Sequence, residues 1–467
     1  MHAVVLHAVS RLALVFLFLV LSVGLAPLVA AASEFVLGGY VGLITTWDST
    51  QVNGNLDQFI LRNNDANFQH GRLKFSAERS RMYFLIKGPM LWGARTTGFI
   101  EWDFDDNEGV NTAAGGLPFS PHKNRLALRH AFFRLDWPET ELMMGHYWSL
   151  LTEEIPEVAS PGTAALQGGN PYFREPQIRL SQKFKDVLTV SLALSEPMNG
   201  NKGTSLVPDQ FTAGSTTAGL ANPFTAESSE TPRVTGRLLY VQDHWGKAPY
   251  YGAPRGFAAR LAGSWQRSRF RAFSGNGRIF SQNNFTTVAV TQLDQQYLDQ
   301  WIVEGSLFIP IIPTYMKELA RTLSLTTQWY VGAGLDCVNE DAPASASYIN
   351  RFTGTNAGDR ELLKRFGAFA QLQYYLTGSW YLNAVYGTSR AFGVNLGSWA
   401  GTTTSADPVK ISQQCYLTLW YRPIQALKLG LEYSYVRSQY FQATTVGSRI
   451  TDTGENHRLL FCSLWYF

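Results

Sequence analysis

The sequence has 467 residues, of which 16% are charged and 13% aromatic, whereas roughly 25% of an ordinary globular domain is charged. A formal net charge of +3 is small for this length and argues against nucleic acid as a partner. Three cysteines, Cys337, Cys415 and Cys462, form no CxxC or CxxCH motif, so no zinc site, haem site or other cofactor is expected.

The first 32 residues have the pattern of an export signal. Arg11 precedes the apolar run LALVFLFLVLSVGL, and three alanines follow at 30–32. The run is shorter than the roughly 20 apolar residues that a membrane-spanning helix needs. We therefore expect residues 1–32 to be a cleaved signal peptide and residues 33–467 to form the exported domain.

Beyond the signal, apolar and polar residues alternate. In 427–435 the odd-numbered positions are all leucine or tyrosine, and the even-numbered ones are polar or glycine. The same period of two recurs in 323–331 and 257–266. No run of about 18 apolar residues follows the signal, so strands would have to cross any membrane. A soluble sandwich has the same alternation, and the connections between strands must therefore decide.

Short and long connections between the predicted strands alternate along the chain. KGPMLWGA, DWPET, KFKDV, LTGS and RPIQ are tight turns. The long connections, rich in Gly, Ser, Thr, Asn and Pro, lie near 49–70, 105–124, 150–175, 197–232, 267–298, 336–364, 391–408 and 441–455. Eight long loops imply eight hairpins, and structureless connections of this length are unusual in a compact soluble domain.

These patterns predict an all-β fold, a transmembrane antiparallel β-barrel of about sixteen strands in the bacterial outer membrane. Short turns would face the periplasm and long loops the outside. In hydrocarbon every backbone group must be paired, and a sheet achieves this by closing on itself. A ring of this size leaves an aqueous lumen, so we expect a passage for small polar solutes.

One irregularity predicts a break in the second strand. The outward apolar residues of 73–77 are out of register with those of 80–84. A bulge near Glu78 would restore the pattern. Without it, Arg79 and Arg81 would point into lipid at a cost of roughly 2 to 4 kcal/mol each near the midplane.

The last segment, HRLLFCSLWYF, carries Phe461, Trp465 and Phe467 on one side. It resembles the C-terminal aromatic strand that outer-membrane barrels present to their assembly machinery. A buried C-terminal strand is the alternative, because Leu460 and Leu464 make the other side apolar as well.

Five stretches occur in order between residues 71 and 196: ERSRMYFLIKG, TTGFIEWDFDDN, RLALRHAFFRLDW, GHYWSLLTEE and REPQIRLSQKF. Together they resemble the DcaP-like trimeric porins. The resemblance implies sixteen strands, a homotrimer and uptake of dicarboxylates and other small anions. It also implies that the third long loop, about 150–175, folds inward and constricts the pore.

The period of two places a set of arginines on inward faces of the wall. These predicted pore-lining residues, a basic ladder, are Arg79, Arg81, Arg95, Arg125, Arg129 and Arg179. Arginine keeps its charge at all relevant pH and can grip a carboxylate with two hydrogen bonds. The third loop carries Glu153, Glu154 and Glu157, which would face the ladder and set up a transverse field. Alternatively, the arginines pair with Glu78, Glu101 and Asp103 and stiffen the wall.

We therefore expect a passive, non-enzymatic channel whose partners are membrane lipid and small polar or anionic solutes. One alternative is an enzyme carried on the barrel, a phospholipase or protease, because His130 and His146 lie near Ser149 and Asp136. No nucleophile motif surrounds these residues. Another alternative is an adhesin, or a barrel sheath for a haem-bearing subunit.

Overall fold

The computed structural model describes most of the exported domain. The described residues are 33–50, 52–53, 59–60, 70–104, 126–152, 154–160, 168–197, 224–225, 229–270, 273–281, 284–293, 296–316, 318–335, 348–353, 356–393, 409–446 and 449–467. The predicted signal peptide, residues 1–32, lies outside this part of the chain. Within the described ranges, no helix has the length and apolar character needed to span a membrane.

The described residues form one closed antiparallel sheet of sixteen strands, as predicted. The strands are β1 (Glu34–Asp48), β2 (Arg72–Ser76 and Arg81–Leu91), β3 (Ala94–Asp103), β4 (Ala127–Asp136), β5 (Thr140–Trp148), β6 (Arg174–Phe184), β7 (Leu188–Ser195), β8 (Arg233–Gln242), β9 (Phe257–Phe270), β10 (Gln296–Ile312), β11 (Leu323–Ala333), β12 (Lys364–Tyr375), β13 (Trp380–Phe392), β14 (Val409–Ile424), β15 (Leu427–Val446) and β16 (Arg449–Tyr466). Each strand pairs with its neighbours in the sequence.

Smaller elements lie in the connections between the barrel strands. Phe224–Thr225 pairs with the end of β9. The paired segments within connections are Val52–Asn53 with Phe59–Ile60, Ala248–Tyr250 with Ala253–Arg255, Phe273–Ser281 with Asn284–Leu293, and Tyr348–Thr353 with Asn356–Leu362.

The barrel closes where β1 meets β16. Tyr40 lies opposite Tyr466, and the pairing continues to Asp48 opposite Arg458. At the end of the chain, the backbone of Phe467 exchanges hydrogen bonds of 3.2 and 3.3 Å with Gly39. The first and last strands therefore have no free edge along this seam.

Alternation separates the two faces of the wall. On β15, Leu431 and Tyr433 are 56% and 44% exposed on the outside, whereas Glu432 and Ser434 are buried on the inside. Trp329 of β11 is likewise exposed on the outside. The apolar face is thus the surface that hydrocarbon would solvate, while the polar face surrounds the lumen.

The predicted bulge near Glu78 is present. Strand β1 pairs with both parts of β2, and three residues of β1, 41–43, lie opposite the four residues 77–80. The extra residue is accommodated by a turn in which the Ser80 amide donates to the Ala77 carbonyl at 3.0 Å. Arg81 consequently points to the inside, where it faces Glu101 and Asp103.

Several connections differ from the general pattern that the sequence predicted. The expected long loop at 441–455 is mostly strand, because β15 and β16 pair again after an irregularity between Gln439 and Thr444, up to Val446 opposite Arg449. Threonines, Val446 and Ile450 favour extended backbone there. Conversely, the connection between β8 and β9, at the end of the barrel that carries short turns, is not a tight turn. It contains the paired segments Ala248–Tyr250 and Ala253–Arg255.

Candidate pore constriction

The described part of the connection between β5 and β6 lies inside the barrel. We call its described residues, 149–152, 154–160 and 168–173, the inner loop. Leu151 and Phe173 are fully buried against Ile302 and Tyr330 on the inner wall of β10 and β11. The inner loop therefore leaves β5 and packs against the opposite half of the barrel.

Glu157 anchors the inner loop to that half of the wall. Its carboxylate accepts hydrogen bonds from Lys428 Nζ at 2.6 Å and from the Tyr381 hydroxyl at 2.8 Å. Its backbone amide donates to Gln371, and its carbonyl accepts from Asn383. Burial would raise the pKa of Glu157, but the Lys428 ammonium and these donors outweigh burial and hold the pKa below its ordinary value.

The next residues of the inner loop are held by a second carboxylate. Glu432 of β15 accepts from the backbone amides of Ala159 at 2.7 Å and Ser160 at 3.0 Å. Arg458 of β16 donates to the Ser160 hydroxyl at 3.3 Å. Charged groups on both neighbouring strands thus satisfy polar groups of a loop that is buried inside the lumen.

The return path of the inner loop depends on close backbone packing. Gly169 has a φ of 93°, a conformation that glycine adopts without strain. A Cβ on Gly387 of β13 would collide with the carbonyl oxygen of Gly168. No side chain therefore fits between this part of the inner loop and the wall.

We expect Gly387→Ala to displace the inner loop toward the open side of the lumen and to lower single-channel conductance, with larger current noise. The added methyl group meets backbone atoms, which cannot move aside by a rotamer change. Gly236→Ala is the matched control, because a Cβ on this strand glycine would meet no atom within 4 Å. Wild-type conductance in Gly387→Ala would contradict the packing.

A second element enters the lumen from the short-turn end. We call residues 248–255 the turn hairpin. Ala248 is fully buried in a cluster with Phe308 of β10, and the Ser324 hydroxyl of β11 donates to the Pro249 carbonyl at 2.7 Å. Arg255 forms two hydrogen bonds of 3.0 Å with the carboxylate of Glu154. The turn hairpin therefore lies against the inner wall and contacts the inner loop.

The space that remains lies on the other side of the lumen. A cavity of about 710 Å³ extends from Ser149, Thr152 and Ile155 of the inner loop to the short turns. Strands β3 to β8 form its wall. Among the described residues that line it, the cations are Arg95, Arg134, Arg179, Lys183 and Arg237, and the carboxylates are Asp136, Glu139 and Glu141. The cavity wall thus carries more positive than negative charge.

The structure divides the predicted basic ladder into two groups. Arg95 and Arg179 line the cavity. Arg129 is buried and bonds Glu101 at 3.0 Å and Asp103 at 2.7 Å, and Arg81 lies within 4 Å of the same two carboxylates. These two arginines have the wall-stiffening contacts of the alternative interpretation.

The remaining predicted residues have different placements. Arg79 lies in the bulge and is half-buried, while Arg125 and Glu153 are outside the described residues. Glu154 and Glu157 are buried and do not line the cavity. The expectation that these two acids face the arginines is therefore wrong. Their carboxylates turn toward Arg255 and Lys428, because a buried carboxylate is stabilised by a cation at hydrogen-bond distance.

Sequence reasoning missed three cations of the cavity. Arg134 of β4 bonds Asp136 at 3.0 Å, and Arg237 of β8 donates to Ser191 at 3.2 Å. Lys183 lies at the end of β6. The signal was present, since Arg237 adjoins Leu238, which is 47% exposed on the outer face, and the period of two therefore turns Arg237 inward.

A closed sixteen-stranded barrel with a polar interior, an apolar exterior and a connection folded into its lumen is the architecture of outer-membrane channels. The chain is similar to the solved structure of the outer membrane channel DcaP of Acinetobacter baumannii, with 14% sequence identity and a TM-score of 0.60. The alignment covers 93% of this chain and 98% of that chain. The resemblance to DcaP-like porins that the sequence suggested is thus confirmed at the level of the fold.

Two further solved structures are more distant. OmpT, an outer membrane protein of Vibrio cholerae, has 10% identity and a TM-score of 0.48, covering 95% of this chain and 100% of that chain. An anion-selective porin from Comamonas acidovorans has 11% identity and a TM-score of 0.47, covering 93% and 100%. The sequence matches no protein-family model and no curated protein.

Proposed function

We propose that this protein is a porin of the bacterial outer membrane, a passive channel for small polar solutes that favours small anions such as dicarboxylates. Export with loss of residues 1–32 and assembly as a homotrimer belong to the same proposal. The cavity between the inner loop and strands β3 to β8 carries it, because cations outnumber carboxylates among the described residues that line it.

The chemistry of the cavity wall suits a carboxylate. Arg134, Arg179 and Arg237 lie on β4, β6 and β8, and each guanidinium offers a planar pair of donors. Arg179 also lies over the ring of Tyr147 at 5.3 Å from the centroid, which restrains its orientation. Fixed guanidinium groups along a wetted wall lower the energy of an anion without trapping it, as conduction requires.

The test is a salt-gradient reversal potential in planar bilayers. We expect anion preference in the wild type, and we expect Arg179→Gln and Arg237→Gln each to weaken it by about twofold, because a charge about 10 Å from the ion contributes roughly 0.4 kcal/mol in water. Arg267→Gln is the control, since Arg267 pairs with Asp299 at the surface and does not line the cavity.

An equal preference for cations in the wild type and the three variants would refute the proposed anion selectivity. Exchanging chloride for a four-carbon dicarboxylate on one side of the bilayer tests the proposed preference for dicarboxylates. A reversal potential showing that the diacid does not pass would contradict this preference. A passive channel also predicts no hydrolysis of phospholipid or peptide. Hydrolysis that disappears on replacing His146 would favour the enzyme instead.

A further inference from the structure

We propose that the turn hairpin sets the size limit of the pore, by holding the edge of the inner loop that borders the passage. This inference rests on the proposed function and adds a second constricting element to it. The hairpin enters from the end opposite to the long loops and meets the inner loop at Glu154 and Ile155.

The turn hairpin is seated firmly enough to act as a support. Tyr250 packs edge-on against the ring of Phe308, with centroids 5.5 Å apart. The guanidinium of Arg255 lies 4.2 Å from the Tyr250 ring centroid and 5.1 Å from that of Phe308. The Pro249 carbonyl accepts a hydrogen bond from Ser324. Wall contacts thus fix Arg255 before it meets the inner loop.

An ion pair and a hydrogen bond join the turn hairpin to the inner loop. Arg255 donates to both carboxylate oxygens of Glu154 at 3.0 Å, and the Glu154 side chain is only 2% exposed. The hydroxyl of Tyr251 donates to the Ile155 carbonyl. A bidentate ion pair fixes orientation as well as distance, so the backbone at 154–155 is held in one position.

The held segment adjoins the part of the inner loop that borders the passage. Thr152 and Ile155 line the cavity, and Glu154 lies between them. Glu157, the next anchor along the loop, holds the far wall instead. Without the Arg255 pair, only the Tyr251 hydrogen bond would join the turn hairpin to this edge of the inner loop, and the passage beside it would widen and fluctuate.

Measurements of conductance and of the solute size limit show whether Arg255 acts by supporting the inner loop or only by its charge. We expect Arg255→Ala and Glu154→Gln to act in the same direction: at least a twofold increase in open-channel current variance, and entry of larger neutral sugars in liposome swelling. The double variant should equal either single variant. If Arg255 acts only through its charge, the two substitutions will instead shift anion preference in opposite directions, which would overturn the proposal.

Lys247→Ala is the matched control. It removes a cation from the same connection, but Lys247 pairs with Asp243 and does not touch the inner loop. Its size limit should equal that of the wild type. An equal increase in the size limit for Lys247→Ala would mean that any loss of charge in this connection has the effect, and would contradict a specific support.

A readout that does not depend on conduction separates this inference from the proposed function. Amide hydrogen exchange of the peptide covering 152–155 should be at least tenfold faster in Arg255→Ala and in the conservative Glu154→Gln variant than in the wild type and Lys247→Ala. If the wild type forms no channel, the porin proposal fails while exchange still reports the contact. Unchanged exchange in both variants would refute the support itself.

Discussion

Replacing Asp48 by alanine is expected to lower the free energy of unfolding of the barrel by about 3 to 5 kcal/mol, the cost of breaking a buried ion pair by removing one partner. Asp48 lies at the end of β1, in the seam that closes the sheet. Its carboxylate accepts hydrogen bonds from Arg458 at 2.7 Å and from Asn456 at 2.9 Å. Arg72 of β2 lies 3.2 Å away on the other side.

The large effect follows from what alanine would leave behind. Asp48 and Arg458 are both fully buried, so the substitution leaves two guanidinium groups close together with no carboxylate between them. The seam joins residues more than 400 positions apart in the sequence, and the ring depends on it to leave no open edge. We therefore expect loss of the Asp48 carboxylate to weaken closure rather than one local contact.

Urea unfolding in detergent micelles, followed by tryptophan fluorescence, measures this effect. The control is Lys87→Ala. Lys87 lies on β2 and pairs with Glu34, which lies on β1 as Asp48 does. That pair is exposed, with side chains 54% and 62% accessible, and such pairs contribute about 0 to 1 kcal/mol. Equal losses for Asp48→Ala and Lys87→Ala would show that burial at the seam has no energetic consequence.

The strands of the barrel wall could be predicted because lipid on one side and water on the other determine which way each side chain points. A strand between lipid and water must turn Leu431 outward and Glu432 inward, so a period of two records the fold locally. The bulge near Glu78 was predictable for the same reason: an unbroken strand would expose Arg79 and Arg81 to hydrocarbon. Neither inference required knowledge of a distant residue.

The constriction could not be predicted in this way, because its contacts join distant parts of the chain. Glu157 meets Gln373 and Lys428, which are 216 and 271 residues further along. The prediction that Glu154 and Glu157 face the pore did not include the cations that they contact, Arg255 of the turn hairpin and Lys428 of the wall. Nothing in the alternation of β15 distinguishes Lys428 from any other inward polar residue.

Local irregularity also limited the prediction of the arginines. Strand β4 has a bulge opposite Glu101 and Trp102, so that Arg129 and His130, neighbours in the sequence, are both buried. The turn hairpin was missed although its signal was visible. The sequence between Gln242 and Phe257 is longer than the other short turns and contains Pro, Gly and paired tyrosines.

Protonation of Glu157 is expected to release the inner loop, which makes the channel sensitive to acid. The pKa of Glu157 lies below its ordinary value of 4.5, so the native state binds this proton less readily than the unfolded chain. The anchor is therefore at full strength above pH 4.5 and is lost as the pH falls through the native pKa. Steady open-channel currents at pH 7 and pH 5 should give way to noisy, interrupted currents at lower pH.

Lys428→Met should move this transition to higher pH. The ammonium is the main group that holds the Glu157 pKa down. Without it, burial raises the pKa of this carboxyl, so the midpoint of the transition in the current should rise. Methionine fills a similar volume beside Trp420, whose ring centroid lies 3.9 Å from Lys428 Nζ, so the wall should remain packed.

Glu157→Gln identifies the group that titrates. It keeps an acceptor for Tyr381 and Lys428 but carries no charge, so its currents should be noisy at neutral pH and should lack the Glu157 transition. Glu432, which holds Ala159 and Ser160, can still titrate in this variant, and Glu432→Gln separates its contribution. An acid transition at the wild-type pH in both Glu157→Gln and Lys428→Met would place the proton elsewhere, because neither the carboxylate nor its cation would then govern the loop.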